Sequence, residues 1–135
     1  MGFFDAKSPL PGNLARVSSN CPFCQIVAGE LPTEKVHETD TVLAFRDLSP
    51  QAPTHVLVVP KVHLENAHAV SAQDAGVLTD MLIVAQQVAT KQGCAPEGDA
   101  GGYRLVMNVG EDAQNSVPHL HMHMLGGRSF EWPPG

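Results

Sequence analysis

The sequence predicts an α+β domain with about five strands in a mostly antiparallel sheet, one long helix and one short one. Three observations carry this. Strand-like segments cluster early and late in the chain around a single long helical stretch, so this is not a βαβ repeat. Val56-Leu57-Val58-Val59 is a run of branched aliphatics, the pattern of a central strand covered on both faces. Near the end, Pro118-His119-Leu120-His121-Met122-His123-Met124-Leu125 alternates histidine with apolar residues over three steps. Alternate side chains of a strand share a face, about 6.6 Å apart. One face would then carry His119, His121 and His123, and the other Leu120, Met122 and Met124.

The remaining elements follow in order. Residues 1–20 read as a tail, with residues 8–20 rich in Ser, Pro, Gly and Asn. Phe23 to Ala28 is a short helical candidate, stopped by Gly29 and Pro32. Lys35 to Glu38 and Thr41 to Arg46 flank Thr39-Asp40 as a hairpin. Thr54 to Pro60 is the buried strand. Ser71 is an acceptable N-cap, with Asp74 in an acidic first turn, for a helix running to about Gln92 and stopping at Gly93. Its stripe of Leu78, Met81, Leu82, Ala85, Val88 and Ala89, widened by Val77 and Val84, is broad enough for a sheet and a partner helix, or for a single broad core face. A loop over 94–102 leads to a strand over Gly102–Val109. A second loop, Gly110–Pro118, returns to the histidine run.

Composition sets bounds. A chain of 135 residues is one domain on length, and 43% hydrophobic residues supply a core. No apolar run reaches the roughly 18 residues of a membrane span. Eight Lys and Arg against 14 Asp and Glu give a net charge of −6, which argues against general binding to nucleic-acid backbones but not against a small phosphate ligand. The first residues have neither a basic start nor a long apolar stretch, and Ala6 occupies the position where a myristoylation pattern wants Ser or Thr. The expectation is a cytoplasmic protein.

Three imidazoles in a row have three readings. They form a solvated histidine-rich edge, or a three-histidine metal site, or a nucleophilic centre. Three ligands from one flat strand do not easily converge on one ion. A neutral imidazole is a good nucleophile toward phosphorus, and its neighbours can hold its tautomer and contact the phosphate. Cys21-Pro22-Phe23-Cys24 also has competing readings: a disulfide, disfavoured in a cytosolic chain, a redox dithiol, half of a zinc site completed by two histidines, or inert or merely reducible thiols. Asp47, at the end of a strand, is either a turn former before Pro50 or an acceptor for two vicinal ribose hydroxyls. His55 enters the central strand as a core histidine. Asn108 and Ser116 stand at the two mouths of the second loop, whose backbone donors suit phosphate oxygens, or which is simply a polar turn. His37 and His68 read as surface residues.

The run from Asn115 to Leu125 resembles the histidine-triad signature, His-x-His-x-His with apolar residues between. Gly126-Gly127-Arg128, Trp132-Pro133-Pro134-Gly135 and Leu48-Ser49-Pro50-Gln51-Ala52-Pro53-Thr54-His55 are similar to the Hint branch of that superfamily. The similarity covers about Cys21 to Gly135, and it implies a histidine-triad fold over 21–135, with two sheets joined across a homodimer. It implies hydrolysis of the P–N bond of purine nucleoside phosphoramidates (an AMP- or GMP-linked amine) through a nucleotidyl-histidine on His121, with His55 behind the nucleophile. His123, Asn108 and Ser116 would bind phosphoryl oxygens, and Ser116 would also relay a proton to the leaving amine. Asp47 would take the ribose, with Leu48, Phe23 and Ile26 near the base and Trp132 near the neighbouring subunit's site. Cys21, Cys24, His63 and His119 match the ligands of superfamily members that hold a structural zinc; no catalytic metal is required. The alternatives are a dinucleoside polyphosphate hydrolase, disfavoured by the Trp132 end, and a nucleotide- or zinc-binding regulatory protein with little catalysis. A nucleotidyl transferase of the superfamily has Gln at the third triad position, where this chain has His123.

Overall fold

The computed structural model describes residues 20–135. The tail expected over residues 1–20 lies, except for Asn20, outside the described residues. The elements are α1 (Pro22–Val27), β1 (Lys35–Glu38), β2 (Val42–Arg46), β3 (Thr54–Pro60), α2 (Ala75–Gln92), β4 (Tyr103–Val106) and β5 (Met122–Gly126). The sheet order is β1-β2-β3-β5-β4, and all four pairings are antiparallel. The expected five strands are all present, with one long and one short helix.

Strand parity divides the core. Val56 and Val58 of β3 join Val42, Ala44, Met122 and Met124 under α2, against Met81, Val84, Ala85, Val88 and Ala89. Leu57 and Val59 point the other way, with Leu43 and Phe45, against Cys21, Phe23 and Cys24 of the α1 segment. All seven residues of β3 are buried, as expected of a strand covered on both faces. Each fully buried Val or Leu contributes about 1.5–3 kcal/mol. Leu82, expected on the α2 stripe, is 48% exposed and Ile83 44%, so α2 buries a narrower face against the sheet than the sequence suggested.

The helix ends follow their local chemistry. Ser71 and Asp74 form a capping box, but it closes a 3-10 turn over Ala72–Asp74, and α2 begins only at Ala75. Gly93, at φ +76°, ends α2 in the left-handed conformation that glycine takes without steric cost. In the last turn, Lys91 Nζ donates to the Val36 carbonyl at 2.7 Å and ties α2 to β1. It also lies 3.4 Å from Nδ1 of His37, which is half-buried rather than a free surface residue. His68 is exposed.

Two strands are shorter than their patterns. β4 stops at Val106 instead of Val109, because its partner β5 begins at Met122 and Val106 pairs with His123 at the end of the ladder. The alternating run does not enter the ladder at Pro118. Proline has no N–H to give, the His119 N–H donates to Val117 O, and the Leu120 N–H donates to Leu64 O at 2.6 Å. The alternation of faces nevertheless persists through His119 and Leu120, with Leu120 in the α2 core and His119 beside Cys21.

Candidate active site and metal-ligand cluster

β3 and β5 place the histidines. Leu57 pairs with His123 and His55 with Leu125, so His55 and His123 lie diagonally on the same face. Their side chains meet at 2.8 Å, His55 Nε2 to His123 Nδ1. His121 sits one step before β5, its ring 5.1 Å from that of His123 and 5.1 Å from that of Phe23.

Backbone groups set the tautomers of His121, His55 and His119, and His55 in turn sets that of His123. His121 Nδ1–H donates to the His119 carbonyl at 2.7 Å, so Nε2 carries the lone pair. The Gln51 N–H donates to His55 Nδ1 at 3.0 Å, so the His55 proton is on Nε2. That proton goes to His123 Nδ1, which leaves His123 an Nε2–H donor. His119 Nε2–H donates to the Pro60 carbonyl at 2.9 Å and keeps its lone pair on Nδ1. Adjacent triad members thus present opposite chemistry through the same ring atom: a lone pair at His121 and a hydrogen-bond donor at His123.

Electrostatics agree with neutral rings. Burial holds His121 below the ordinary histidine range, against the hydrogen bond to the His119 carbonyl. His123 is pushed down to about 4, by burial first and then by His121 and His55, with Asp47 opposing. Burial also lowers His55, again against Asp47. Asp47 Oδ2 lies 3.4 Å from His55 Nε2 and 3.9 Å from His123 Nδ1, while Oδ1 accepts from the Ser49 N–H at 2.7 Å. Asp47, His55 and His123 are close enough together to suggest a cation site. The Gln51 N–H argues against one, since it occupies His55 Nδ1 and forces the proton onto the nitrogen that would have to ligate.

An open cleft of about 590 Å³ lies over these rings, lined by Phe23, Asp47, Asn108, Ser116, His121 and His123. Leu57 and Val117 add apolar wall, and Asp112, Ala113 and Gln114 come from the second loop. Gln114 bends that loop at φ +59°, where no glycine signalled a turn. The remaining expected nucleotide contacts stand apart from this lining. Ile26 packs beneath the apolar cluster, Leu48 is 97% exposed and Trp132 is 81% exposed. His55 backs His123, whereas the expectation placed it behind His121. The Gln51 amide that fixes His55 is a backbone group, and no side-chain pattern could have pointed to it.

Behind the triad, Cys21 Sγ is 3.3 Å and Cys24 Sγ 3.5 Å from His119 Nδ1, and Cys24 Sγ is 3.3 Å from His63 Nδ1. The four donor atoms lie within 4.8 Å of one another. Tetrahedral zinc with Zn–S about 2.3 Å and Zn–N about 2.05 Å puts sulfur and nitrogen about 3.5 Å apart, so the donor set fits zinc. The Cys21 thiol is held far below the usual thiol range, chiefly by its hydrogen bond with Cys24 and then by His119 and His63, against burial. Cys94 lies elsewhere, buried beneath Gly126.

Fold and site together define a histidine-triad protein: the profile of the HIT domain matches residues 28–130, and the chain belongs to that family. The purine nucleoside phosphoramidase of Escherichia coli K12 is 42% identical over 106 residues, 78% of this chain and 86% of that protein. An uncharacterized HIT-like protein of Synechococcus elongatus is also 42% identical, over 88% of this chain and all of its own length. Among solved structures, a HIT family hydrolase from Legionella pneumophila superposes with a TM-score of 0.80 at 45% identity, covering 86% of this chain and 100% of that one. No helix among the described residues is long and apolar enough to cross a membrane.

Proposed function

We propose that this chain is a hydrolase of purine nucleoside phosphoramidates, acting through a nucleotidyl-histidine on His121. The observation that carries the reading is the 2.7 Å hydrogen bond from His121 Nδ1–H to the His119 carbonyl, which leaves Nε2 as a buried, neutral nucleophile facing a cleft. Nε2 attacks the α-phosphorus. The P–N bond breaks with its electron pair on the leaving nitrogen, which takes a proton relayed through Ser116. Water then attacks the phosphorus and returns a proton through Ser116, the P–Nε2 bond breaks with its electron pair on Nε2, and the nucleoside monophosphate leaves. His123 Nε2–H, Asn108 and the backbone amides of the second loop hold the phosphoryl oxygens. Phe23, Leu57 and Val117, which line the cleft, offer an apolar wall to the base, and Asp47, on the same lining, accepts from the ribose hydroxyls in this reading. The activity of the Escherichia coli relative supports the substrate class.

The same reading includes a structural zinc on Cys21, Cys24, His63 and His119, where it would join α1 to the sheet. It also includes a homodimer in which Trp132, exposed in the single chain, covers part of the neighbouring subunit's site. The reading also keeps the cytoplasm as the location. The test is incubation with an adenosine phosphoramidate labelled at phosphorus. Wild type is expected to give a labelled histidine and release AMP, while His121→Ala gives no label, retains nucleotide binding and turns over at least about a thousandfold more slowly. A dinucleoside polyphosphate run beside it is expected to be the poorer substrate. Turnover retained in His121→Ala would refute the assignment.

A further inference from the structure

The Cys-x-x-Cys motif takes no part in the proposed reaction, yet its sulfurs stand beside the nucleophile's support. His119 is the shared residue. Its Nδ1 faces Cys21 and Cys24, its Nε2–H is held by Pro60, and its own carbonyl holds the ring of His121. A second link runs through α1. Cys21 caps this six-residue helix, its Sγ accepting the Cys24 N–H at 3.4 Å. Between the two cysteines, Phe23 packs edge-on against His119 at 5.8 Å and His121 at 5.1 Å. A helix this short does not persist alone, so whatever holds its cysteines sets where Phe23 stands.

We propose that the Cys21–Cys24–His63–His119 cluster, closed on a zinc-type divalent ion, is a positioning device for the His121 nucleophile. It rests on the reading of His121 given above. The cluster fixes the His119 carbonyl that orients His121 and the Phe23 ring that packs on it. Cys21, Cys24 and His63 line no part of the cleft and act only through these two neighbours. His63 serves from the rim: it is half-buried, its Nδ1 lies 3.3 Å from Cys24 Sγ, and its ring meets that of His119 at 4.9 Å. The metal adds bonds to donors that already converge, which narrows the freedom left to a His119 side chain held by the Pro60 carbonyl and its contacts with Cys21 and Cys24.

The test uses the full chain. Zinc is removed with a chelator and returned, and cobalt(II), whose absorption reports tetrahedral thiolate ligation, measures occupancy. The first readout is the His121 Nδ1–H resonance in nitrogen-15 NMR of the imidazoles, which reports tautomer and hydrogen bond without any turnover. The second is the single-turnover rate of His121 nucleotidylation beside KM. Removal is expected to broaden or shift the resonance and to slow nucleotidylation about 10–100-fold, with a smaller change in KM and full recovery on return of zinc. His63→Ala should behave as the stripped protein, and His63→Cys, which keeps a zinc ligand, should recover most of the loss. Should the stripped chain lose its far-UV signal, the His63→Cys and His63→Ala pair decides. An unchanged resonance and rate on removal, equal rates in the two variants, or no cobalt absorption overturns the proposal. If wild type turns over no phosphoramidate, the proposed substrate fails, and the NMR arm still decides whether the cluster holds His121.

Discussion

His55 gives its Nε2–H to His123 Nδ1 at 2.8 Å, while His121 gives its Nδ1–H to the carbonyl of His119 at 2.7 Å. The two catalytic candidates are therefore oriented by different partners and can be separated by mutation.

His55→Ala removes the donor that sets the His123 tautomer and leaves the support of His121 intact. The expected result is a fall in turnover of about 10–100-fold with the nucleotidyl-histidine still formed, measured by single-turnover trapping. Loss of the label as complete as in His121→Ala would place His55 behind the nucleophile after all.

The pH dependence of stability has a definite sign. His123 has its pKa depressed in the folded state, from an ordinary 6.5 to about 4, so between these values the unfolded chain binds more protons than the folded one. This contribution is fully present above about pH 6.5 and is lost as pH falls toward 4. With its side chain 19% exposed, the shift at His123 corresponds to on the order of 3 kcal/mol, part of it shared with His121 and His55, which help to lower it. His121 and His55 act in the same direction. Urea titrations from pH 8 to 4 should show the decline, and His123→Asn should flatten it. Since His121 is held neutral below its ordinary range, kcat/KM should also keep its plateau below pH 6.5 before falling.

Gly127 has φ +89°, and a Cβ there would lie 2.8 Å from Pro53 Cβ. Gly127→Ala should cost about 1–3 kcal/mol, read as a lowered Tm. Activity should fall with it, because the next residue, Arg128, donates to the Gln51 carbonyl at 3.2 Å and the Gln51 amide holds His55.

Met124 is fully buried under α2, whereas Leu82 on the same helix's outer side is 48% exposed. Met124→Ala is expected to cost about 2–5 kcal/mol by denaturant titration. Leu82→Ala should stay within about 0.5 kcal/mol for the single chain. A larger, concentration-dependent loss at Leu82 would mean that α2 meets a second copy.

Where backbone period and side-chain type coincide, the sequence was enough. The branched run of β3, the stop of α2 at Gly93 and the alternation of His119, His121 and His123 with Leu120, Met122 and Met124 are local properties, and each is found in the fold. Its reach ended where partners are distant. Ser71 does cap, but it caps a 3-10 turn, and the reversal at Gln114 carries no glycine. Leu48, Ile26 and Trp132 lie off the lining of the single chain's cleft, because lining depends on how loops close over the sheet rather than on residue type.

The sequence by itself determined the sheet's two faces and the row of imidazoles, because a strand's two-residue period and the burial of apolar side chains act over a few residues. Only the tertiary structure decided which imidazole keeps a lone pair on Nε2 and which carries an N–H there. A ring's tautomer depends on the group opposite each nitrogen, and here those groups are the carbonyls of Pro60 and His119 and the amide of Gln51, main-chain atoms that every residue type carries alike.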